Sequence, residues 1–171
     1  PNKENLIKRL LKTQFDYNDL EVARPKPPKE FAYFYPGQTQ TRLFDGYDSY
    51  VKWYKKQGHY KEDAPWVSVL TFRSFYYEKQ LAPEKDMIRS LHKAGYNVFG
   101  GFGYPAKNTV DRLLIDENGE ARVSGAVAFI FRFSGYDVTD SLDQLNVPVL
   151  NAITRFSNSQ GDTRGLSKME T

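Results

Sequence analysis

Hydrophobic and polar positions follow two different rhythms along this chain, one before Pro65 and one after it. In residues 2–14, NKENLIKRLLKTQ, Leu6, Ile7, Leu10 and Leu11 share one side of a 3.6-residue helix opposite lysine and arginine, and Asn2 can serve as N-cap. A short amphipathic helix is predicted, packed on its own domain in preference to a membrane or partner surface. Residues 20–46 carry RPKPPKEF and YFYPG, whose prolines exclude regular helix and favour extended, polyproline-like chain. This stretch reads as a connecting strap with Phe31, Tyr33, Phe34 and Tyr35 laid against the main domain. From about Asp45 to Gln57 the period is helical again, with Tyr47, Tyr50, Val51 and Tyr54 on one side and Gly58 as the stop.

After Pro65, strands and helices alternate. WVSVLTF (66–72) is a continuous apolar, β-branched run of the kind buried on both faces of a sheet. A loop, RSFYYEKQLA, is expected next, then a helix from about Pro83 to Ala94. Pro83 suits its first position, Glu84 and Asp86 suit the positive end of its dipole, Lys93 suits the other end, and Gly95 closes it. YNVFGGF supplies a second strand and PAKNTVDRLL (105–114) a turn and short helix. LLIDENGEARVS reads as a small hairpin about an Asn-Gly turn. GAVAFIFRF (125–133), TDSLDQL (139–145) and VPVLNAIT (147–154) complete the series as strand, helix and strand. This order predicts an α/β fold: an open, mostly parallel sheet with helices on both faces, preceded by an N-terminal helix and an extended strap.

Composition narrows the picture. A chain of 171 residues, 40% hydrophobic, has the size and apolar content of one domain with an appendage. The expected division is residues 1–45 for helix and strap and 46–171 for the α/β domain. Charge is mixed along the chain and sums to only +3, which does not point to nucleic acid. Cysteine is absent, so disulfides and thiolate metal sites are excluded. No apolar run approaches the roughly 20 residues of a membrane span, and the N-terminus lacks the apolar core of a secretory signal. A soluble, cytoplasmic segment is expected, and the start at Pro1 suggests a piece of a longer polypeptide.

Three apolar runs end in an arginine accompanied by Phe and Ser: LTFRSF (70–75), FIFRFS (129–134) and AITRFS (152–157). Parallel strands deliver their C-terminal ends to one edge of the sheet, where ligands of such folds bind. Arg73, Arg132 and Arg155 would gather there, with Phe72, Phe75, Phe131, Phe133 and Phe156 beside them. GGFGYP at the second strand end, with Gly101, would allow close approach. Arginine grips carboxylate or phosphate bidentately and stacks on aromatic rings, so this edge suits a large, flat polyanion. Other signals are weaker. His59 and His92 stand far apart in sequence and in no metal-ligand spacing, so no metal site is assigned and His92 reads as a helix-surface residue. Asp48, Glu78, Asp111 and Asp116 read as solvated charges. GGFGYP lacks the Lys-Ser/Thr ending of a phosphate-binding P-loop.

YDSYVKWYKKQGHYKEDAPWVSVLTFRSFYYEKQ, YNVFGGF, GAVAFIFRFSG, and LNVPVLNAITRFSNS with its trailing RGLS together resemble the large subunit of cobaltochelatase, CobN. That family includes the magnesium-chelatase H subunit and CobN-like proteins of haem utilisation. The similarity covers about residues 40–167. It implies a flavodoxin-like internal domain of a long, multidomain large subunit that binds a corrinoid or porphyrin precursor. It further implies ATP-dependent metal insertion in cobalamin biosynthesis, with cobalt or another divalent metal inserted and ATP hydrolysed by separate AAA+ subunits. No cofactor is assigned to this segment, and the isolated domain is expected to be inactive. Many members carry a His and a Gly-Asp pair after the first strand where this chain has RSFYYEKQLAPE, so only Arg73 and Ser74 carry over from that motif. The candidate ligand-binding set is therefore Arg73, Ser74, Phe75, Tyr76, Gly101, Arg132 and Arg155, with no catalytic residue assigned. Competing readings are a haem-utilisation relative acting on haem, a structural or docking module of the parent protein, and an independent nucleotide- or sugar-phosphate-binding module.

Overall fold

The computed structural model describes residues 2–24, 27–37, 40–130 and 138–153. Helix α1 spans Asn2–Gln14, and two strands, β1 (Ala32–Pro36) and β2 (Thr41–Phe44), lead to α2 (Tyr47–Lys56). The alternating part runs β3 (Trp66–Phe72), α3 (Arg73–Tyr77), α4 (Ala82–Lys93), β4 (Asn97–Gly103), α5 (Ala106–Leu113), β5 (Gly125–Ala128), α6 (Thr139–Leu145) and β6 (Val149–Asn151). Among the described residues these strands form one sheet in the order β2-β1-β4-β3-β5-β6. Strands β3 to β6 are mutually parallel, as predicted, while β1 is antiparallel to both β2 and β4.

The strap does more than connect. Its aromatic run AYFYP enters the sheet as β1, pairing Ala32 with Phe102 and Phe34 with Gly100. Prolines 27 and 28 precede the strand and Pro36 ends it, so the segment between keeps all the backbone donors that the ladder needs. Phe34 and Tyr33 are buried on opposite faces, which is why a stretch with no helical rhythm still belongs to the core.

Side-chain alternation in the central strands feeds two cores. Leu70 and Phe99 face Tyr50 and Tyr54 of α2 and Val110 and Leu113 of α5. Val69, Val98 and Phe102 face Ile88 of α4 and Phe34. Each of these large side chains contributes about 1.5–3 kcal/mol by leaving water.

Three local expectations are corrected. RSFYYEKQLA opens as α3 and not as a loop. Phe72 and Phe75 meet edge to face at 5.6 Å, and Tyr76 stacks on Phe102 at 4.7 Å, so aromatic contacts fold this segment back onto the sheet. The predicted hairpin over 113–124 is a turn closed by a single Ile115–Ala121 bridge. There the backbone bonds Asp116 N–H to Glu120 C=O and Arg122 N–H to Leu114 C=O join the arms, Asp116 accepts the N–H groups of Asn118 and Glu120 at 2.9 and 2.8 Å, and Gly119 takes φ +82°, so the antiparallel pairing is short and its tip is held by a side chain. Helix α1 buries none of its residues, and its apolar stripe lies open, with Leu6 59% exposed.

Candidate functional site

The edge at which β3, β4 and β5 finish is defined by three chain exits. Phe72 passes directly into α3, so Arg73 opens that helix half-buried at the strand end and Ser74 lies exposed beside it. Gly103 passes through Tyr104 and Pro105 into α5. Phe129 continues from β5, its N–H donating to the carbonyl of Leu70 at 2.8 Å. Arg73 and Ser74 therefore stand where the strand-end argument puts them. Arg132 and Arg155, with Phe131, Phe133 and Phe156, lie outside the described residues.

Phe75 and Tyr76 are half-buried against the core formed with α4. Tyr76 lies against both Phe102 and, at 6.2 Å, Phe34. Gly101 is buried within β4, and a Cβ there would come within 2.9 Å of Leu113 and 3.0 Å of Leu70. Glycine at this position lets two leucines from β3 and α5 close over the strand.

One acid at this edge has a sequence reading, as a partner of the helix dipole, that misses its burial. Glu84, in the first turn of α4, is 1% exposed. The hydroxyl of Thr71, next to last in β3, donates to its Oε1 at 2.6 Å, while Oε2 has no hydrogen-bond partner among the described residues. Burial pushes its carboxyl above the ordinary range, against the opposing hydrogen bond from Thr71. A signal was present: Leu81, Glu84, Ile88 and Leu91 fall at helical spacing on one face. An acid in an apolar stripe at the start of a helix reads first as a dipole partner, which hides its burial.

At the opposite edge, where β3 and β4 begin, the structure joins the two histidines. His59 follows α2 and His92 ends α4, and their rings meet edge to face at 5.3 Å. The phenol of Tyr54 is 2.8 Å from Nδ1 of His92, and Tyr35 stacks on His59 at 5.0 Å. Burial holds both imidazoles below their ordinary value. His92 is thus a packed residue and not a simple helix-surface one. The chain crossing from α2 to β3 brings it to His59, which sequence distance conceals. Among the described residues no group of three or more His, Asp or Glu side chains is placed to hold a metal ion. No helix among them is long and apolar enough to cross a membrane.

The protein-family model described as CobN/Magnesium Chelatase matches residues 1–171, the whole chain. No curated protein matches it.

Proposed function

This chain belongs to the CobN/magnesium chelatase family, and on that premise we propose that it is a domain of a CobN-type large subunit that helps to hold a tetrapyrrole during ATP-dependent metal insertion. The family match over the entire chain carries this reading. The macrocycle and the divalent metal are substrates, and the AAA+ partner subunits hydrolyse ATP in a cytoplasmic, multidomain complex. Within this domain the strand-end edge is the proposed contact. Arg73 and Ser74, joined by Arg132 and Arg155, bind the acetate and propionate carboxylates of the macrocycle through charge-assisted hydrogen bonds. Phe75 and Tyr76 supply aromatic surface beside them, with Gly101 in the strand behind. Corrinoid is the preferred substrate class and haem the alternative.

A second reading rests on a separate observation. The exposed apolar stripe of α1, with Leu6, Ile7 and Leu10 each more than half accessible, favours a docking role against other parts of the parent protein.

The discriminating experiment replaces Arg73, Arg132 and Arg155 together by Ala in the full-length protein. Tetrapyrrole affinity is expected to weaken at least about tenfold, since hydrogen bonds between charged groups contribute roughly 1.5–3 kcal/mol each. Unchanged affinity would discard the strand-end assignment and leave the docking role standing.

A further inference from the structure

On the face of the sheet opposite Phe75 and Tyr76, a surface cavity of about 510 Å³ opens between the start of β1, the start of α2 and the end of α5. Its walls include Phe31, Tyr47, Arg112 and Arg122, with Gly46 at the N-terminus of α2. We propose that this cavity is a second binding site, independent of Arg73, for a small molecule bearing oxyanionic groups, carboxylate or phosphate.

Two stacked guanidinium groups carry the proposal. The guanidinium of Arg112 lies 4.6 Å from the centre of the Phe31 ring, and that of Arg122 lies 5.3 Å from the centre of the Tyr47 ring. Stacking uses the face of a guanidinium and leaves its in-plane N–H groups for a planar oxyanion. Arg122 is fixed further by donating one N–H to the carbonyl of Ile115. Neither arginine is in an ion pair among the described residues.

The acids nearby are largely committed elsewhere. Asp45, on the cavity wall, pairs with Lys29, and Asp116 takes the N–H groups of its own turn. Glu30 is the remaining carboxylate on the wall, so the two arginines exceed it by one charge. The N-terminus of α2, where Gly46 offers no side chain to cap the N–H groups, adds positive potential that Asp48 in its first turn partly offsets. The volume falls within the range of about 300–1,000 Å³ typical of small-molecule pockets and exceeds the need of a bare ion. The residues involved are also structurally supported: Phe31 closes over Gly103, and Tyr33, beneath, donates its hydroxyl proton to the carbonyl of Leu113 at 2.9 Å. The arginines therefore meet a ligand on walls that are already packed.

The test is calorimetric titration of the chain, at low ionic strength, with inorganic phosphate, pyrophosphate and glutarate as probes. Saturable binding of at least one probe is expected, weakened about tenfold or more by Arg112→Gln and by Arg122→Gln. Arg112→Lys should recover only part of the loss, because an ammonium cannot form the bidentate pair. Arg89→Gln, on α4 and paired with Asp86 away from the cavity, should leave the affinity unchanged. Preference for pyrophosphate would identify a phosphate ester as the ligand, and preference for glutarate a dicarboxylate; either supports the site. Arg112 is exposed, so its variant keeps the test decisive even if replacing Arg122 destabilises the turn. No saturable binding of any probe, or binding that Arg112→Gln leaves intact, would overturn the proposal. So would loss of binding in Arg73→Gln, which would move the anion to the strand ends.

Discussion

Thr71 and Glu84, both inaccessible to solvent, share a hydrogen bond of 2.6 Å between the end of β3 and the first turn of α4. Burial raises the Glu84 carboxyl above its ordinary value of 4.5, so the fold favours the neutral acid. The stability this contributes is complete below pH 4.5 and is lost as pH rises through the folded-state value. Glu84→Gln keeps an acceptor for Thr71 and removes the ionisation. Urea denaturation from pH 4.5 upward should therefore show the wild type losing stability relative to the variant. Parallel profiles would mean that Glu84 does not ionise differently on folding.

Removing the donor tests the same pair from the other side. Thr71→Val removes the hydroxyl that donates to the buried Glu84 carboxyl and is expected to cost about 1–3 kcal/mol. Adding Glu84→Met should recover much of that loss, because replacing both partners by apolar groups of similar shape is close to neutral. A double-mutant cycle measured by chemical denaturation reads the coupling.

Packing at the end of β4 allows no extra atom. A Cβ on Gly103 would sit 2.4 Å from both Phe31 and Thr109, so Gly103→Ala should destabilise by about 1–3 kcal/mol. Gly46→Ala meets nothing within 4 Å, and its φ of −138° is open to any residue. Its change should stay within about 0.5 kcal/mol. Thermal melts of the two variants would separate them, and equal effects would contradict the described packing.

The histidine pair predicts an acid limit. The Tyr54 oxygen accepts the N–H of Val98 at 3.3 Å and lies 2.8 Å from Nδ1 of His92. A proton added to the buried His92 ring brings a charge that faces His59 and the Lys61 ammonium, which is bound to the His92 carbonyl. Both imidazoles are depressed by burial, so their contribution is complete above the ordinary value of 6.5 and is lost as pH falls through the folded-state values. Replacing both by Gln should flatten stability below pH 6.5; an unchanged acid slope would remove them as its source.

Legibility from sequence followed the strength of each periodic signal. The helix at 139–145 and the strand at 66–72 match their predicted spans, the strand because a continuous apolar, β-branched run has few other readings; the helix forms with Val138 at its N-cap position and no side-chain cap. The YFYP segment reads from the sequence as lying against the domain but not within the sheet, since β4, which ties it to the sheet, lies over sixty residues away and prolines dominate its local pattern. RSFYY offered no helical period, and its helix depends on Phe102 and Phe34, which only the folded sheet supplies. The direction of β3 locates Arg73, while Ser74 comes from the family resemblance. Glu84, the histidine pair and the Arg112–Arg122 cavity all depend on side chains that different elements bring together, and a linear pattern cannot show that.

Whether the strand-end edge holds a tetrapyrrole is decided by titrating the chain with a metal-free corrinoid, a metal-free porphyrin and haem. Macrocycle absorbance and quenching of Trp53 and Trp66 report binding. Saturable binding of at least one macrocycle is expected, weakened when Arg73, Arg132 and Arg155 are changed to Ala, with the preferred macrocycle separating corrinoid from haem handling. Absence of binding up to about 100 μM, an affinity worth only about 5.5 kcal/mol, would contradict the strand-end site and leave α1 and the sheet as a docking module.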